Sequence, residues 1–187
     1  GMNRVGAQGK GESVWLSEFA IVCAGEYAAV SPEAGDADEL IALAGRLRAA
    51  VENSAWDGGW YLRAYADDGA PLGSHAGSEC RIDGISQAWA VLAGLDGARC
   101  RSAMDAAWNQ LADERNGLIR LLTPPFSLNG RDPGYIRSYP EGVRENGGQY
   151  THAACWLLLA LIRMGDAARA HRALEMLLPQ NHSDSPE

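Results

Sequence analysis

The sequence has no long apolar run, no clustered cysteines and no excess of basic residues, and each absence excludes a class of protein. No segment approaches ~18 consecutive apolar residues, which excludes a transmembrane helix and predicts no membrane contact. The first residues, Gly-Met-Asn-Arg-Val-Gly, lack the apolar core of a signal peptide. The net charge of −8 argues against nucleic-acid binding, which usually needs a basic surface.

The four cysteines, Cys23, Cys80, Cys100 and Cys155, lie far apart and form no Cys-x-x-Cys pair. This spacing argues against a structural zinc site, and we expect neither metal ligands nor a bound cofactor. Three of the cysteines lie in apolar helical segments, where cysteine behaves as a small hydrophobic residue. We therefore expect reduced thiols and a cytoplasmic location.

The 187 residues, 47% of them hydrophobic and 21% charged, are enough for one globular domain with a sizeable core. Apolar residues at helical spacing predict six helices, over residues 13–30, 36–53, 84–95, 98–112, 150–164 and 166–178. The helices form three pairs, in which the first is apolar nearly all round and the second is amphipathic. An inner helix is covered on both sides and an outer helix faces water, so the pattern predicts an all-α toroid. Three pairs are too few to close it.

Two connections, over residues 54–83 and 113–149, are too long to be simple turns. Long ordered connections within a compact domain are often functional. Short strands are predicted within them, at 60–65 and 118–122.

The richest segment is 134–152, where a loop runs directly into a helix. It combines three tyrosines, two arginines and two carboxylates with Asn146, Gln149 and His152, around four glycines. Glycines let the backbone approach a ligand, while flat rings and polar side chains orient it, so this composition predicts a pocket for a sugar or another polyhydroxylated ligand. At a helix N-terminus, His152 and nearby N–H groups could hold an anion such as phosphate. The alternative is that 150–152 only cap and pack the helix.

The remaining polar residues in the long connections are open to two interpretations each. Arg137 and Arg144 are either partners of an anion or a carboxylate or solvated surface residues. Asp83 is most simply the N-cap of the following helix, and Arg81 and Glu79 could pair or reach the site. The aromatic residues of 56–61 could form a stacking platform for a sugar ring or could anchor their loop in the core.

Five motifs together resemble the catalytic domain of glycoside hydrolase family 94, which includes cellobiose and chitobiose phosphorylases. They are Trp56-Asp-Gly-Gly-Trp-Tyr-Leu-Arg-Ala-Tyr, Asp67-Asp-Gly-Ala-Pro-Leu-Gly-Ser74, Glu79-Cys-Arg-Ile-Asp83, Thr123-Pro-Pro-Phe126 and Gly142-Val-Arg-Glu-Asn-Gly-Gly-Gln-Tyr-Thr-His-Ala153. The resemblance covers nearly the whole chain. The residues within the motifs are most similar to those of the cyclic β-1,2-glucan synthase branch.

The resemblance implies a partial (α/α)6 barrel, about half of one, formed by residues 1–187 as a single domain. It implies an inverting phosphorolysis of β-glucan to glucose 1-phosphate, with inorganic phosphate as co-substrate. His152 resembles the phosphate-contacting histidine, and Glu145 and Tyr150 resemble sugar-contacting residues. The likeness extends to four further substrate-binding candidates, Gln149, Arg144, Arg81 and Asp83.

The family's general acid lies in an Asp-Trp-Asn-Asp-Gly-Met-Asn motif, whereas this sequence starts at Gly1-Met2-Asn3. We therefore expect no catalytic general acid in the chain, truncation at both ends relative to the family, and no turnover by the chain alone. A non-catalytic glucan-binding remnant is the main alternative. An (α/α)6 hydrolase is disfavoured because no water-activating carboxylate stands out. Inner helices left uncovered in half a ring predict self-association, for example a homodimer.

Overall fold

The computed structural model describes residues 1–31 and 35–183, and most of this part of the chain is helical. All six predicted helices are present, and every start and every end but one lies within one residue of the prediction. They are α1 (Val14–Val30), α2 (Ala37–Ser54), α3 (Gly84–Leu92), α4 (Gly97–Leu111), α5 (Thr151–Arg163) and α6 (Ala167–Leu177). The short Gly/Asp link expected at 34–36, between the first two helices, lies outside the described residues at position 34, and so do the C-terminal residues 184–187.

The largest difference is the end of α3, predicted at residue 95 and found at Leu92. Gly94 adopts a φ of 67°, and its N–H donates to the Val91 carbonyl while the Leu95 N–H donates to the Ala90 carbonyl. This pair of hydrogen bonds closes the last turn of the helix. It needs one residue in the left-handed backbone conformation, which glycine adopts without steric cost. Gly165 ends α5 in the same way, so both helices reverse direction sharply into their partners.

Side-chain caps hold three of the helix starts. Asp83 accepts from the Ile85 N–H, Asp96 from the Ala98 and Arg99 N–H groups, and Asp166 from the Arg169 N–H. Ser13 precedes α1 and is of a residue type that commonly caps helices, but it makes no capping bond. Its hydroxyl instead accepts a hydrogen bond from Nη1 of Arg63, 3.3 Å away.

The helices pack as three consecutive pairs, α1 with α2, α3 with α4 and α5 with α6. Within the described residues α3 also packs against both α1 and α5, so the first helices of the pairs lie side by side with α3 in the middle. Residues 84–90 of α3 are all buried, as a central helix requires. Two main apolar clusters fill the space between the pairs, one around α1 and α2 and the other among α3 to α6.

Among the described residues, seven two-residue strands lie before α1 or in the connections between helices. β1 (Glu12–Ser13), β2 (Ala64–Tyr65) and β3 (Pro71–Leu72) form one antiparallel sheet in that order. β4 (Ile82–Asp83) pairs with β7 (Leu122–Thr123), and β5 (Ala112–Asp113) pairs with β6 (Leu118–Ile119). The predicted strand at 60–65 is thus limited to its last two residues, and the one at 118–122 is divided between β6 and β7.

The β4–β7 pair joins the two long connections directly in front of α3. Ile82 lies opposite Thr123 and Asp83 opposite Leu122. Because the connection after β7 leads on to the start of α5, the N-terminal ends of α3 and α5 lie beneath the same loops.

All four cysteines are free thiols. Cys80 and Cys100 are buried, whereas Cys23 on α1 and Cys155 on α5 are exposed, so the expected hydrophobic role fits Cys100 and does not fit these two helical cysteines. No described helix has the length and apolarity to cross a membrane. No group of three potential metal ligands occurs among residues 1–31 and 35–183.

Candidate functional site

A small cavity of about 90 Å³ lies where the loops cover the starts of α3 and α5. Its polar lining consists of Arg63, Asp83, Glu145, Tyr150 and His152. Four of the seven predicted site residues therefore come together, although Asp83 precedes the others by more than 60 positions in the sequence. Ile85, Leu121 and Ile136 supply an apolar wall.

Asp83 and Arg63 form the best-buried ion pair of the cavity. Oδ2 of Asp83 accepts a hydrogen bond from Nε of Arg63 at 3.1 Å, and Oδ1 accepts from the Ile85 N–H at 2.8 Å. The Asp83 side chain is 1% exposed and that of Arg63 12%. Burial raises the pKa of Asp83, and the guanidinium and the capping N–H oppose that shift. Both oxygens of Asp83 therefore have partners within the protein.

Glu145 has an unused acceptor. Its Oε2 atom is buried and accepts no hydrogen bond from any residue in the described ranges. Nε of Arg144 lies 3.8 Å from that oxygen, beyond hydrogen-bonding distance. A buried acceptor without a partner costs about 1–3 kcal/mol, and a ligand hydroxyl that donated to it would remove this cost.

His152 lies in the first turn of α5 between two aromatic rings. Its ring meets Tyr150 edge-on at a centroid distance of 4.4 Å and Trp156 at 4.8 Å. The imidazole is exposed at the cavity. No side chain caps the start of α5 within the described structure, so the N–H groups of its first turn are not taken up by a side-chain cap. This combination suits an anion, because the N-terminal end of a helix carries a partial positive charge.

The other three predicted residues do not line this cavity. Oε1 of Gln149 accepts a hydrogen bond from the Ile119 N–H at 2.7 Å, which joins the loop to β6. Arg144 is exposed, with its guanidinium 4.9 Å from the centre of the Tyr139 ring. Arg81 is also exposed, and it is its backbone carbonyl that accepts from the indole N–H of Trp60.

Several open alternatives are decided by these contacts. Tyr61 is fully buried and the Trp60 indole donates to two backbone carbonyls, so the aromatic loop at 56–61 is anchored in the core rather than presented to a sugar. Glu79 accepts from the Ser127 N–H and hydroxyl and does not pair with Arg81. Arg137 pairs with Asp132 at 2.9 Å.

Asn146 also has a structural role. It is fully buried, its Oδ1 accepts from the Phe126 N–H, and its Nδ2 donates to the carbonyls of Phe126 and Tyr139. These bonds hold the glycine-rich loop against the preceding connection and so fix the position of Glu145, its neighbour in sequence.

Sequence reasoning missed Arg63, which reaches the cavity from the connection before β2. The available signal was a charged residue inside an otherwise apolar and aromatic stretch, 60–66, which its neighbours would bury. A buried arginine needs a carboxylate partner. Which carboxylate becomes the partner of Arg63 depends on how two loops are arranged in three dimensions.

Comparison with known proteins identifies relatives of one kind. The model of the "Glycosyl hydrolase 94 superfamily, catalytic domain" matches residues 1–187. The cyclic beta-(1,2)-glucan synthase NdvB of Rhizobium meliloti (strain 1021) is 47% identical over 190 residues, which cover 98% of this chain and 7% of the synthase.

Phosphorylases are also similar. Solabiose phosphorylase of Paenibacillus borealis is 35% identical over 96% of the chain, and N,N'-diacetylchitobiose phosphorylase of Vibrio furnissii is 31% identical over 94%. The matched regions are 24% and 22% of those two enzymes. The chain thus spans less than a quarter of the length of each of these three relatives.

Proposed function

The chain belongs to the glycosyl hydrolase 94 superfamily, and on that premise we propose that it supplies the phosphate- and sugar-binding loops of a glycoside phosphorylase-like domain acting on β-glucan. The intact domain would transfer a glycosyl unit from glucan to inorganic phosphate and release glucose 1-phosphate. The likeness to a cyclic beta-(1,2)-glucan synthase favours β-1,2-linked glucan as the substrate.

One observation carries this proposal: the fold brings Glu145, Tyr150 and His152 to the start of α5 and opposite Asp83 in one cavity. Phosphate would bind at the His152 imidazole and the first N–H groups of α5. A sugar hydroxyl would donate to the free Oε2 of Glu145, and the Tyr150 ring would pack against the sugar. Asp83 would hold Arg63 in place rather than contact the ligand itself.

The arrangement of the helices supports a partial (α/α)6 barrel as the architecture. The first helices of the three pairs lie side by side, and each is followed by a helix that packs on it. All three of these first helices start at the face that carries the long connections, which is where the candidate cavity lies. Three further pairs would complete such a barrel.

The chemistry of phosphorolysis needs a proton donor as well as a phosphate site. The phosphate oxygen forms a bond to the anomeric carbon while the bond to the leaving sugar oxygen breaks, and that oxygen takes a proton from a general acid. Asp83 is already bonded to Arg63 and to the Ile85 N–H, so it is not free for this role. Glu145 is assigned to a sugar hydroxyl. We therefore propose that this chain binds substrate but does not turn it over alone.

A second candidate function is glucan binding without catalysis. The open acceptor on Glu145 favours it, because that oxygen can receive a sugar hydroxyl whether or not a general acid is present. The two functions predict different products and can be separated by one assay.

The test is to incubate the purified chain with linear β-1,2-glucooligosaccharides and excess phosphate, and to measure both glucose 1-phosphate release and saturable binding. We expect binding of phosphate and sugar without release of product. His152→Ala should weaken phosphate binding, whereas His171→Ala, which removes an exposed imidazole from α6, should not.

Steady release of glucose 1-phosphate that His152→Ala abolishes would show a complete catalytic site in this chain and overturn the proposed lack of turnover. Absence of both phosphate and sugar binding would overturn the assignment of the cavity itself.

A further inference from the structure

Residues 1–11, which we call the strap, run across both long connections before the first strand and helix begin. Near one end of the strap, Met2 lines the cavity at His152. At the other end, Gly11 leads directly into β1. The backbone between them forms turns rather than a helix or a strand. One wall of the cavity therefore consists of chain whose position depends on its bonds to the two connections.

Asp67, in the turn between β2 and β3, holds the second half of the strap. Its Oδ1 atom accepts from the N–H groups of Lys10 and Gly11, both at 2.9 Å, and Oδ2 accepts from the Gln8 N–H at 2.8 Å. The N–H of Asp67 itself donates to the Val5 carbonyl at 3.0 Å. Hydrogen bonds from the backbone N–H groups, that of Gln8 first, lower the pKa of Asp67. The carboxylate is therefore ionised at neutral pH, and all three bonds that it accepts are charge-assisted.

The first half of the strap is bonded to the second long connection. The Arg4 N–H donates to the Pro133 carbonyl at 3.0 Å, and the Arg4 guanidinium pairs with Asp132. Oδ1 of Asn3 accepts from the Tyr135 N–H at 3.0 Å. Since Asp67 belongs to the first long connection, the strap links the two segments that carry the residues of the cavity.

Close packing gives the strap one position over the cavity. A Cβ atom on Gly11 would overlap the carbonyl oxygen of Val5, so the strap folds back on itself in this way only with glycine there. The side chains of Met2 and Val5 pack against a buried apolar cluster that includes Leu122 and Ile136. Ile136 and Met2 both line the cavity, so a strap that left this cluster would open the cavity wall.

We propose that Asp67 is a positioning residue for the cavity at His152: it holds the strap closed so that Met2 completes the wall, and a ligand bound in the cavity in turn keeps the strap closed. This inference rests on the proposed function, because it takes that cavity as the site for phosphate and sugar. Asp67 does not contact the ligand itself. The coupling works in both directions, since a ligand that binds only the closed form favours that form.

A single peptide bond reports opening of the strap. Lys10 is the only lysine among the 187 residues and is exposed, so a lysine-specific endoproteinase can cut this chain only between Lys10 and Gly11. The N–H groups of both residues are bonded to Asp67, so cleavage requires the strap to open locally. The rate of this cleavage therefore measures how often the strap leaves Asp67.

The first test compares the cleavage rates of variants without ligand. Asp67→Ala removes all three accepted bonds and should raise the rate by roughly tenfold or more. Asp67→Asn keeps one acceptor oxygen and should give a smaller increase. Asp68→Ala is the matched control: it removes the neighbouring carboxylate, which pairs with Arg131 rather than with the strap, and should stay within about twofold of wild type.

The second test adds inorganic phosphate and linear β-1,2-linked glucotriose to the full chain and needs no variant to fold. At about ten times the dissociation constant, the ligands should slow cleavage of wild type by up to about tenfold. His152→Ala should abolish this protection and leave the rate without ligand unchanged. Asp67→Ala should bind the ligands about threefold or more weakly in titration calorimetry, because only molecules with a closed strap have a complete cavity wall.

The outcomes separate this inference from the proposed function. Equal cleavage rates in wild type, Asp67→Ala and Asp67→Asn would show that Asp67 does not hold the strap. Calorimetric binding of the ligands with no protection of the Lys10–Gly11 bond would overturn the coupling and leave the proposed function intact. If wild type binds neither phosphate nor glucotriose, the proposed function fails, and the positioning role of Asp67 fails with it.

Discussion

Nε of Arg63 lies 3.1 Å from Oδ2 of Asp83, and this ion pair connects the loop before β2 to the first turn of α3. The other oxygen of Asp83 caps α3, so one carboxylate fixes both the helix start and the guanidinium that lines the cavity at His152. The position of Arg63, and with it the shape of the site, depends on a residue whose two oxygens already have partners within the protein.

Asp83→Asn isolates the ion pair from the cap. Asparagine caps helices about as well as aspartate, so the variant should keep the bond to the Ile85 N–H but leave the nearly buried Arg63 without a counter-charge. Breaking a buried pair costs roughly 3–5 kcal/mol, and the partial exposure of Arg63 places the expected loss of unfolding free energy at or below the lower end of that range. Urea unfolding measures it.

The control for this variant is Asp96→Asn at the exposed start of α4. Asp96 caps α4 by accepting from two backbone N–H groups, whereas Asp83 accepts from one, so the control tests a carboxylate cap without a buried ion-pair partner. We expect a change within about 0.5 kcal/mol. If both variants lose equal stability, the ion pair with Arg63 contributes nothing beyond the cap.

The sequence predicts the helices well because each carries its own local signals. Glycine after the apolar stripe and aspartate before it mark most helix ends, and the error at the end of α3 comes from counting Leu95, which is buried but lies beyond the turn at Gly94. Asp83 was identified as a cap for the same reason: the receiving N–H is two residues away.

Contacts between distant segments were not predictable in this way. Ser13 has the residue type of a cap but bonds to Arg63, 50 positions later, and Gln149 bonds to the backbone of β6 rather than facing the cavity. Both depend on how the long connections fold over the helices, which helical periodicity does not encode. The residues at the start of α5 were found because the loop and the helix that carry them are adjacent in sequence.

Glu18 is expected to lower stability at neutral pH. This side chain of α1 is fully buried, and neither of its oxygens has a hydrogen-bond partner among the described residues. Burial raises the pKa of Glu18 well above its ordinary value; Arg63 opposes the shift, and Asp83 and Glu52 add to it. The folded state therefore holds a proton that the unfolded chain releases above about pH 4.3.

The sign of the effect follows from that difference in proton binding. The stability associated with neutral Glu18 is fully present below the unfolded pKa and is lost as pH rises towards the folded pKa, by up to about 1.4 kcal/mol per pH unit. Glu18→Gln, which cannot ionise, should match wild type near pH 4 and be more stable at pH 7. Glu26→Gln, at an exposed position on the same helix, serves as the control. Parallel pH curves for wild type and Glu18→Gln would contradict this account.

Glu145→Gln tests the open acceptor in the cavity. The amide keeps the size of the side chain but exchanges a charged acceptor for a neutral group, and hydrogen bonds to charged groups contribute about 1.5–3 kcal/mol. We expect the affinity for a β-linked glucooligosaccharide to fall by roughly tenfold or more, measured by titration calorimetry. Glu141→Gln, on an exposed part of the same loop, should bind like wild type. Equal losses in both variants would point to a general charge effect rather than to a contact at Glu145.

Self-association through the first helices of the pairs stays a prediction, and the structure indicates where to test it. Leu16 and Phe19 are exposed on α1, and Leu159 and Ile162 on α5, so apolar side chains lie uncovered on the two helices that flank α3. A two-fold pair that placed α5 of one copy against α1 of the other would cover both sets.

Light scattering should then show a mass that rises from monomer to dimer with concentration. Ile162→Glu should shift that transition to higher concentration, because a charge would be buried in the contact. Leu128→Glu, at a more exposed position in the loop before Tyr135, should leave it unchanged. A mass that stays monomeric at all concentrations would exclude the dimer.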